Sequence, residues 1–228
     1  MSLKRDFVRR QGYKSEEYSI LTEDGYILGL HRLLVSRDNS TSTKQRPIAF
    51  MQHGLLSSSI DWVIADKTQS LGYLLVDQGY DVWLGNFRGN IYSKKHAWLP
   101  VTSSQFWNFS WDEMARYDLP TMINFVLSKT NSTSLNYIGY SMGTTTLFAL
   151  SSLDPSYTKK RIKLAVLLAP VAAIPNMKTP LTHIFAPVLS HFQSNKFHKH
   201  AWTRFFSRVQ SSWRSSIWTN SWLQTVSL

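Results

Sequence analysis

The chain has 228 residues, enough for one domain with a sizeable core, and its 14% aromatic and 17% charged content suits a packed globule more than a disordered chain. It has no cysteine, which excludes a disulfide framework and any Cys-based metal site. The net charge of +11 is unevenly placed: residues 1–154 carry 15 Lys/Arg against 14 Asp/Glu, while residues 155–228 carry 10 Lys/Arg and no acid.

The opening residues, Met1 to Asp6, contain no apolar run, so no secretory leader is expected within this chain. Residues 13–35 alternate apolar and polar around Glu23-Asp24-Gly25, which predicts a β-hairpin. Ser36 to Arg46 is a polar loop, and Pro47 to Gln52 is a short apolar strand running into His53-Gly54-Leu55-Leu56. Leu71 to Gln78 has helical spacing, closed by Gly79, and Tyr80 to Leu84 is a second buried strand. Helical intervals recur from Phe106 to Lys129, with Pro120 marking a kink or a new first turn. Leu135 to Gly139 is a strand, Gly143 to Leu153 a helix, and Arg161 to Leu168 a further strand. The apolar stretch Leu164 to Pro175 fits a buried strand with its exit loop, and no apolar run reaches the roughly 18 residues of a membrane span. Strands separated by helices predict an α/β fold around a mostly parallel sheet. From His191 to Leu228 the chain is rich in Ser, Trp, His, Lys and Arg and lacks Gly, Pro, Asp and Glu. This tail reads as foreign to the domain, whose boundary the sequence sets at residue 190. Trp and Arg interleave there, but no nucleic-acid-binding motif accompanies them, and no nucleic-acid partner is expected.

The chemistry centres on Gly139-Tyr140-Ser141-Met142-Gly143, a G-x-S-x-G sequence between a strand and a helix. A serine exposed on so sharp a turn needs small residues on either side, which Gly139 and Gly143 supply. The helix start directs free N–H groups and a positive dipole end at a developing oxyanion. Ser141 is therefore the expected nucleophile, with the backbone N–H groups of Leu55 and Met142 as the oxyanion hole. His53 reads as a locally hydrogen-bonded loop histidine rather than a base.

Several segments together resemble the acid lipases, the family of gastric and lysosomal lipases and their insect relatives. They are Glu17-Tyr18, Thr22 to Leu28, Gln52 to Leu56, Gly79 to Asn86, Arg88-Gly89-Asn90, Phe106-Trp107, Asp112-Glu113-Met114, Tyr117 to Pro120, the serine turn, and Leu168 to Ala172. The resemblance covers about residues 11–190. It implies an α/β-hydrolase core with an inserted cap, hydrolysing acylglycerols or sterol esters without cofactor or metal, at a lipid interface, in a secreted or lysosomal setting. Tyr140 and Met142 depart from the His and Gln common at these positions in the family. Three sequons, at Asn39, Asn108 and Asn131, are candidate glycosylation sites in such a setting.

Acid and histidine should follow the serine in this fold. After Ser141 the sole acid is Asp154, about 20 Å away along the helix. The histidines beyond it, His183, His191, His198 and His200, resemble loop or surface residues. The sequence thus reads as the front of a lipase, with part of the cap and without the last strands. The triad acid and histidine are not identifiable in it. A catalytically inactive homologue that binds lipid or a partner is the alternative reading.

Overall fold

Alternation along the strands sorts their side chains onto the two faces of one sheet. In the computed structural model this is clearest in β3 (Ile48–Gln52) and β4 (Asp81–Gly85), both buried throughout. Ile48, Phe50 and Trp83 join one core, while Ala49, Met51, Val82 and Leu84 join the other. The structure describes residues 5–35 and 46–172. The chain divides into units of residues 1–174 and 175–228, and the described residues fall in the first. The boundary at residue 190, the tail after it and the late histidines lie outside the described residues.

The hairpin forms as expected: β1 (Tyr13–Leu21) pairs antiparallel with β2 (Tyr26–Val35) in unbroken register from Tyr13↔Val35 to Leu21↔Ile27. β5 (Lys95–His96), β6 (Leu135–Tyr140) and β7 (Ile162–Leu168) complete a sheet of order β1-β2-β4-β3-β6-β7, with β5 paired to β2. The pairs β3–β4, β3–β6 and β6–β7 are parallel, and β2 joins β4 antiparallel. The site-bearing half of the sheet is thus parallel, and its carboxyl ends gather the loops after β3, β4 and β6.

The helices cover the two faces. Leu71–Asp77 buries Tyr73 and Val76 against one core, and Leu119–Lys129 buries Met122, Ile123, Val126 and Leu127 against the other. Three features differ from the sequence reading. The helix expected from Phe106 is broken: a 3-10 turn Ser104–Trp107, a short helix Trp111–Glu113 capped by Ser110, and a π turn Met114–Asp118 precede Leu119. The wider turn lies immediately before Pro120, which has no N–H to give to an α-helical ladder. A helix Pro155–Arg161 and the two-residue β5 carry too little periodicity to be read from sequence. Finally, β7 is not buried. Leu164, Val166 and Leu168 are exposed, because among the described residues β7 pairs only with β6 and forms the sheet edge.

Candidate active site

Ser141 is held in a backbone conformation that few non-glycine residues adopt, with φ 50° and ψ −113°. It sits between β6 and the helix Met142–Leu153, as the nucleophile-elbow pattern requires. Its N–H donates to the Leu168 carbonyl at 3.0 Å, and its carbonyl accepts the Thr144 N–H at 2.8 Å and the Thr144 hydroxyl at 2.6 Å. Thr144 Oγ1 in turn accepts the Val171 N–H at 2.9 Å, and the Thr145 hydroxyl donates to the Val171 carbonyl at 2.8 Å. The turn is therefore tied to the chain leaving β7.

The flanking glycines are required by contact distances. A Cβ on Gly143 would stand 2.6 Å from the Gln52 carbonyl oxygen, and one on Gly139 would stand 2.8 Å from the Tyr137 ring. Gly143 thus lets the helix start lie against the end of β3. Gly143→Ala is expected to destabilise the fold by ~1–3 kcal/mol through overpacking against backbone. A lowered urea midpoint with an unchanged slope would show it. Tyr137 adds a hydroxyl bond to the Gly143 carbonyl at 2.7 Å.

The loop after β3 abuts this turn. A Cβ on Gly54 would meet the Tyr140 ring at 3.1 Å and Ser141 Cβ at 3.2 Å. Leu55 and Leu56 follow with exposed side chains, Leu56 at φ 58°. Met142 opens the helix, so its N–H belongs to the first turn, which the helix's own ladder leaves without acceptors. The structure thus brings together Gly139, Ser141, Met142 and Gly143 with the Gly54-Leu55 loop.

His53 holds that loop in place. Its buried ring accepts the Phe87 N–H and the Asn90 side-chain amide at Nε2, each at 3.1 Å, which leaves the proton on Nδ1 for the Gly54 carbonyl at 2.8 Å. All ring positions are occupied structurally, in keeping with its expected non-catalytic role. Burial lowers its pKa from 6.5 to about 4. A histidine kept neutral by the fold lends stability that is complete above pH 6.5 and is lost as pH falls toward 4. The parent should lose about 2 kcal/mol more than His53→Gln between pH 7 and pH 5. Urea unfolding at both pH values measures the difference, and equal losses would contradict a neutral buried ring.

Behind the loop after β4 lies an ion cluster that sequence reasoning missed. Arg88 is buried, reaches Asp118 at 2.6 Å and Asp24 at 2.6 Å, and lies 4.0 Å from the Tyr26 ring centroid. Its backbone N–H also donates to Asp118 at 2.9 Å. Burial pushes the Asp118 carboxyl up to about 6 while Arg88 pulls against that rise, so the pair is ionised at neutral pH. The segments Thr22 to Leu28, Arg88-Gly89-Asn90 and Tyr117 to Pro120 each stand in the sequence, yet nothing there shows that they meet.

Asp154 follows the last residue of the helix Met142–Leu153 and caps the next one, accepting the Tyr157 N–H at 2.8 Å. At 1.5 Å per residue it stands roughly 20 Å along the helix from Ser141. Among the described residues no hydrogen bond reaches Ser141 Oγ, and the histidines His31, His53 and His96 are bonded elsewhere. No group of three or more His, Cys, Asp or Glu that could hold a metal occurs among the described residues. No described helix is long and apolar enough to cross a membrane. Asn108 and Asn131 are exposed, and Asn39 lies outside the described residues.

A family model described as a partial α/β-hydrolase lipase region matches residues 5–66. The chain is 46% identical over 173 residues to mouse gastric triacylglycerol lipase, covering 76% of this chain and 44% of that relative. It is 47% identical over 173 residues to human lysosomal acid lipase/cholesteryl ester hydrolase, covering 76% and 43%. The chain thus spans less than half the length of these relatives. Among solved structures, a bacterial membrane phospholipase A superposes with a TM-score of 0.50 at 16% identity, covering 81% of this chain and 47% of that one, which shows a common fold. A second family model, for the α/β hydrolase fold, matches residues 50–223, and with the elbow geometry at Ser141 this establishes that the chain belongs to the α/β-hydrolase fold family.

Proposed function

We propose that this chain carries the nucleophile half of a serine carboxylic-ester hydrolase acting on acylglycerols or sterol esters. One observation carries the reading: Ser141 is held at φ 50° between two glycines whose replacement would collide with neighbouring atoms. Strain of this kind, over-determined by packing, persists where a side chain must be presented. Ser141 Oγ would attack the ester carbonyl, and the N–H groups of Leu55 and Met142 would stabilise the oxyanion, each worth about 2.7–4 kcal/mol of barrier. A secreted or lysosomal setting, with glycans at Asn39, Asn108 or Asn131, belongs to the same proposal.

The test joins residues 1–172 to the part of mouse gastric lipase that lies beyond its match to this chain. The chimera should hydrolyse tributyrin and lose that turnover with Ser141→Ala. A folded chimera without Ser141-dependent turnover would overturn the proposal.

A second reading has its own observation. Among the described residues neither a histidine nor a carboxylate is directed to Ser141, and Asp154 is engaged as a helix cap. A chain of residues 1–228 would then be a catalytically silent homologue that binds lipid or a partner.

A further inference from the structure

The segment that leaves β4 exposes three large apolar side chains: Ile91 at 55%, Trp98 at 67% and Trp107 at 43%. Its place in the fold follows from register. β2 runs antiparallel to β4, with His31 opposite Leu84, so the start of β2 lies beyond the carboxyl end of β4. β5 pairs there, His96 with Tyr26 and Lys95 with Ile27, which puts Trp98 on the edge that also carries Ser141 and the Gly54-Leu55 loop. Asn90, just before Ile91, touches His53 directly.

Both tryptophans are fixed in position while exposed. Trp98 stands edge-on to His96 at 4.6 Å, with its ring where a Cβ on Gly25 would come within 2.5 Å. The Trp107 indole N–H donates to the Val101 carbonyl at 2.8 Å, and the Lys94 ammonium lies 5.2 Å from its ring centroid. Lys94 and Lys95 are exposed, and residues 82–111 contain no carboxylate. Amphipathic indoles favour the boundary between water and acyl chains, and lysines beside them favour anionic headgroups.

We infer that the surface Ile91, Lys94, Lys95, Trp98 and Trp107 docks on an anionic lipid surface. It would set the edge bearing Ser141 against the bilayer or droplet. Its purpose rests on the hydrolase reading, whereas adsorption itself does not require Ser141.

The cysteine-free sequence allows a site-specific test in the full chain carrying Ser141→Ala, so that hydrolysis plays no part. A polarity-sensitive fluorophore is attached at Ile91→Cys or, as control, at Gln78→Cys, which lies at the opposite edge just before β4 begins at Asp81. Phosphatidylcholine vesicles doped with phosphatidylserine should blue-shift the label at position 91 and leave that at 78 unchanged. Lys94→Ala with Lys95→Ala should weaken partitioning about thirtyfold, and Trp98→Ser about tenfold. No shift at 91 while the chain pellets with vesicles would assign adsorption to the basic residues 155–228 and overturn the inference. So would equal shifts at both positions, no pelleting, or self-association through this surface in the absence of lipid. Failure of the chimera with insertion at 91 intact would remove the hydrolase reading alone.

Discussion

A chain of residues 1–228 should turn over p-nitrophenyl butyrate no faster than its Ser141→Ala variant, and a fluorophosphonate should leave Ser141 unlabelled. An alcohol is a weak nucleophile until a neighbouring base takes its proton. The described histidines cannot do so, because His53 is saturated by Gly54, Phe87 and Asn90, His31 bonds Ser59, and His96 bonds the Asp24 carbonyl. Asp154 is the last carboxylate side chain in the sequence and is occupied as a cap. Losing one member of a Ser-His-Asp triad costs about 10⁴- to 10⁶-fold in turnover, on the order of 5–8 kcal/mol. The backbone donors proposed at Leu55 and Met142 would by themselves leave a small rate that does not depend on Ser141. Robust turnover that disappears with Ser141→Ala would show that a base reaches the serine, and would dispose of the silent-homologue reading.

Arg88→Ala should destabilise the fold by about 3–5 kcal/mol, the largest stability effect expected of any single substitution considered for this chain. The loss is not that of a surface ion pair, since Asp118 is fully buried and Arg88 nearly so. Removing the guanidinium leaves the Asp118 carboxylate in a low-dielectric interior with one backbone donor, and removes the cation over Tyr26. Against a typical total of roughly 5–15 kcal/mol, such a loss approaches unfolding. Arg88→Lys should recover little, because one ammonium cannot fork to Asp24 and Asp118 together. Arg88→Met with Asp118→Leu should recover part of the loss by removing the buried charge altogether. Urea denaturation of the four proteins measures all three statements. A cost below about 1 kcal/mol for Arg88→Ala would place Asp118 in contact with solvent.

The same cluster explains why the loop after β4 is well positioned for the site. Arg88 anchors it to Asp118 and Asp24, while Asn86, two residues earlier, accepts the Ser59 N–H at 2.9 Å and donates to the Gly29 carbonyl at 3.0 Å. Asn90 then passes this rigidity to His53 and so to Gly54 beside Ser141. The backbone donors proposed at Leu55 and Met142 would need such support, because reorienting them during reaction would cost the stabilisation they provide.

The sequence by itself determined what depends on neighbours along the chain. The Glu23-Asp24-Gly25 turn, the apolar runs of β3, β4 and β6, and the strand-glycine-serine-glycine-helix succession at Ser141 are local patterns, and each formed within a residue or two of its expected place. So did the expectation that Asp154 stands too far from Ser141, since a helix fixes its own length. The tertiary structure decided whatever required distant segments to meet. Asp24, Arg88 and Asp118 lie 64 and 30 residues apart and join in one buried cluster. His53, read from the sequence as a loop histidine bonded only locally, clamps distant segments because Phe87 and Asn90 fold onto its ring. β7 is apolar enough to read as buried, yet it is exposed, because burial depends on what packs over its faces and beside its edge and not on its own composition. The hydrogen bonds of one helix and the alternation of faces along one strand are written in consecutive residues; the desolvation and pairing of charges is set by partners the chain reaches only after folding.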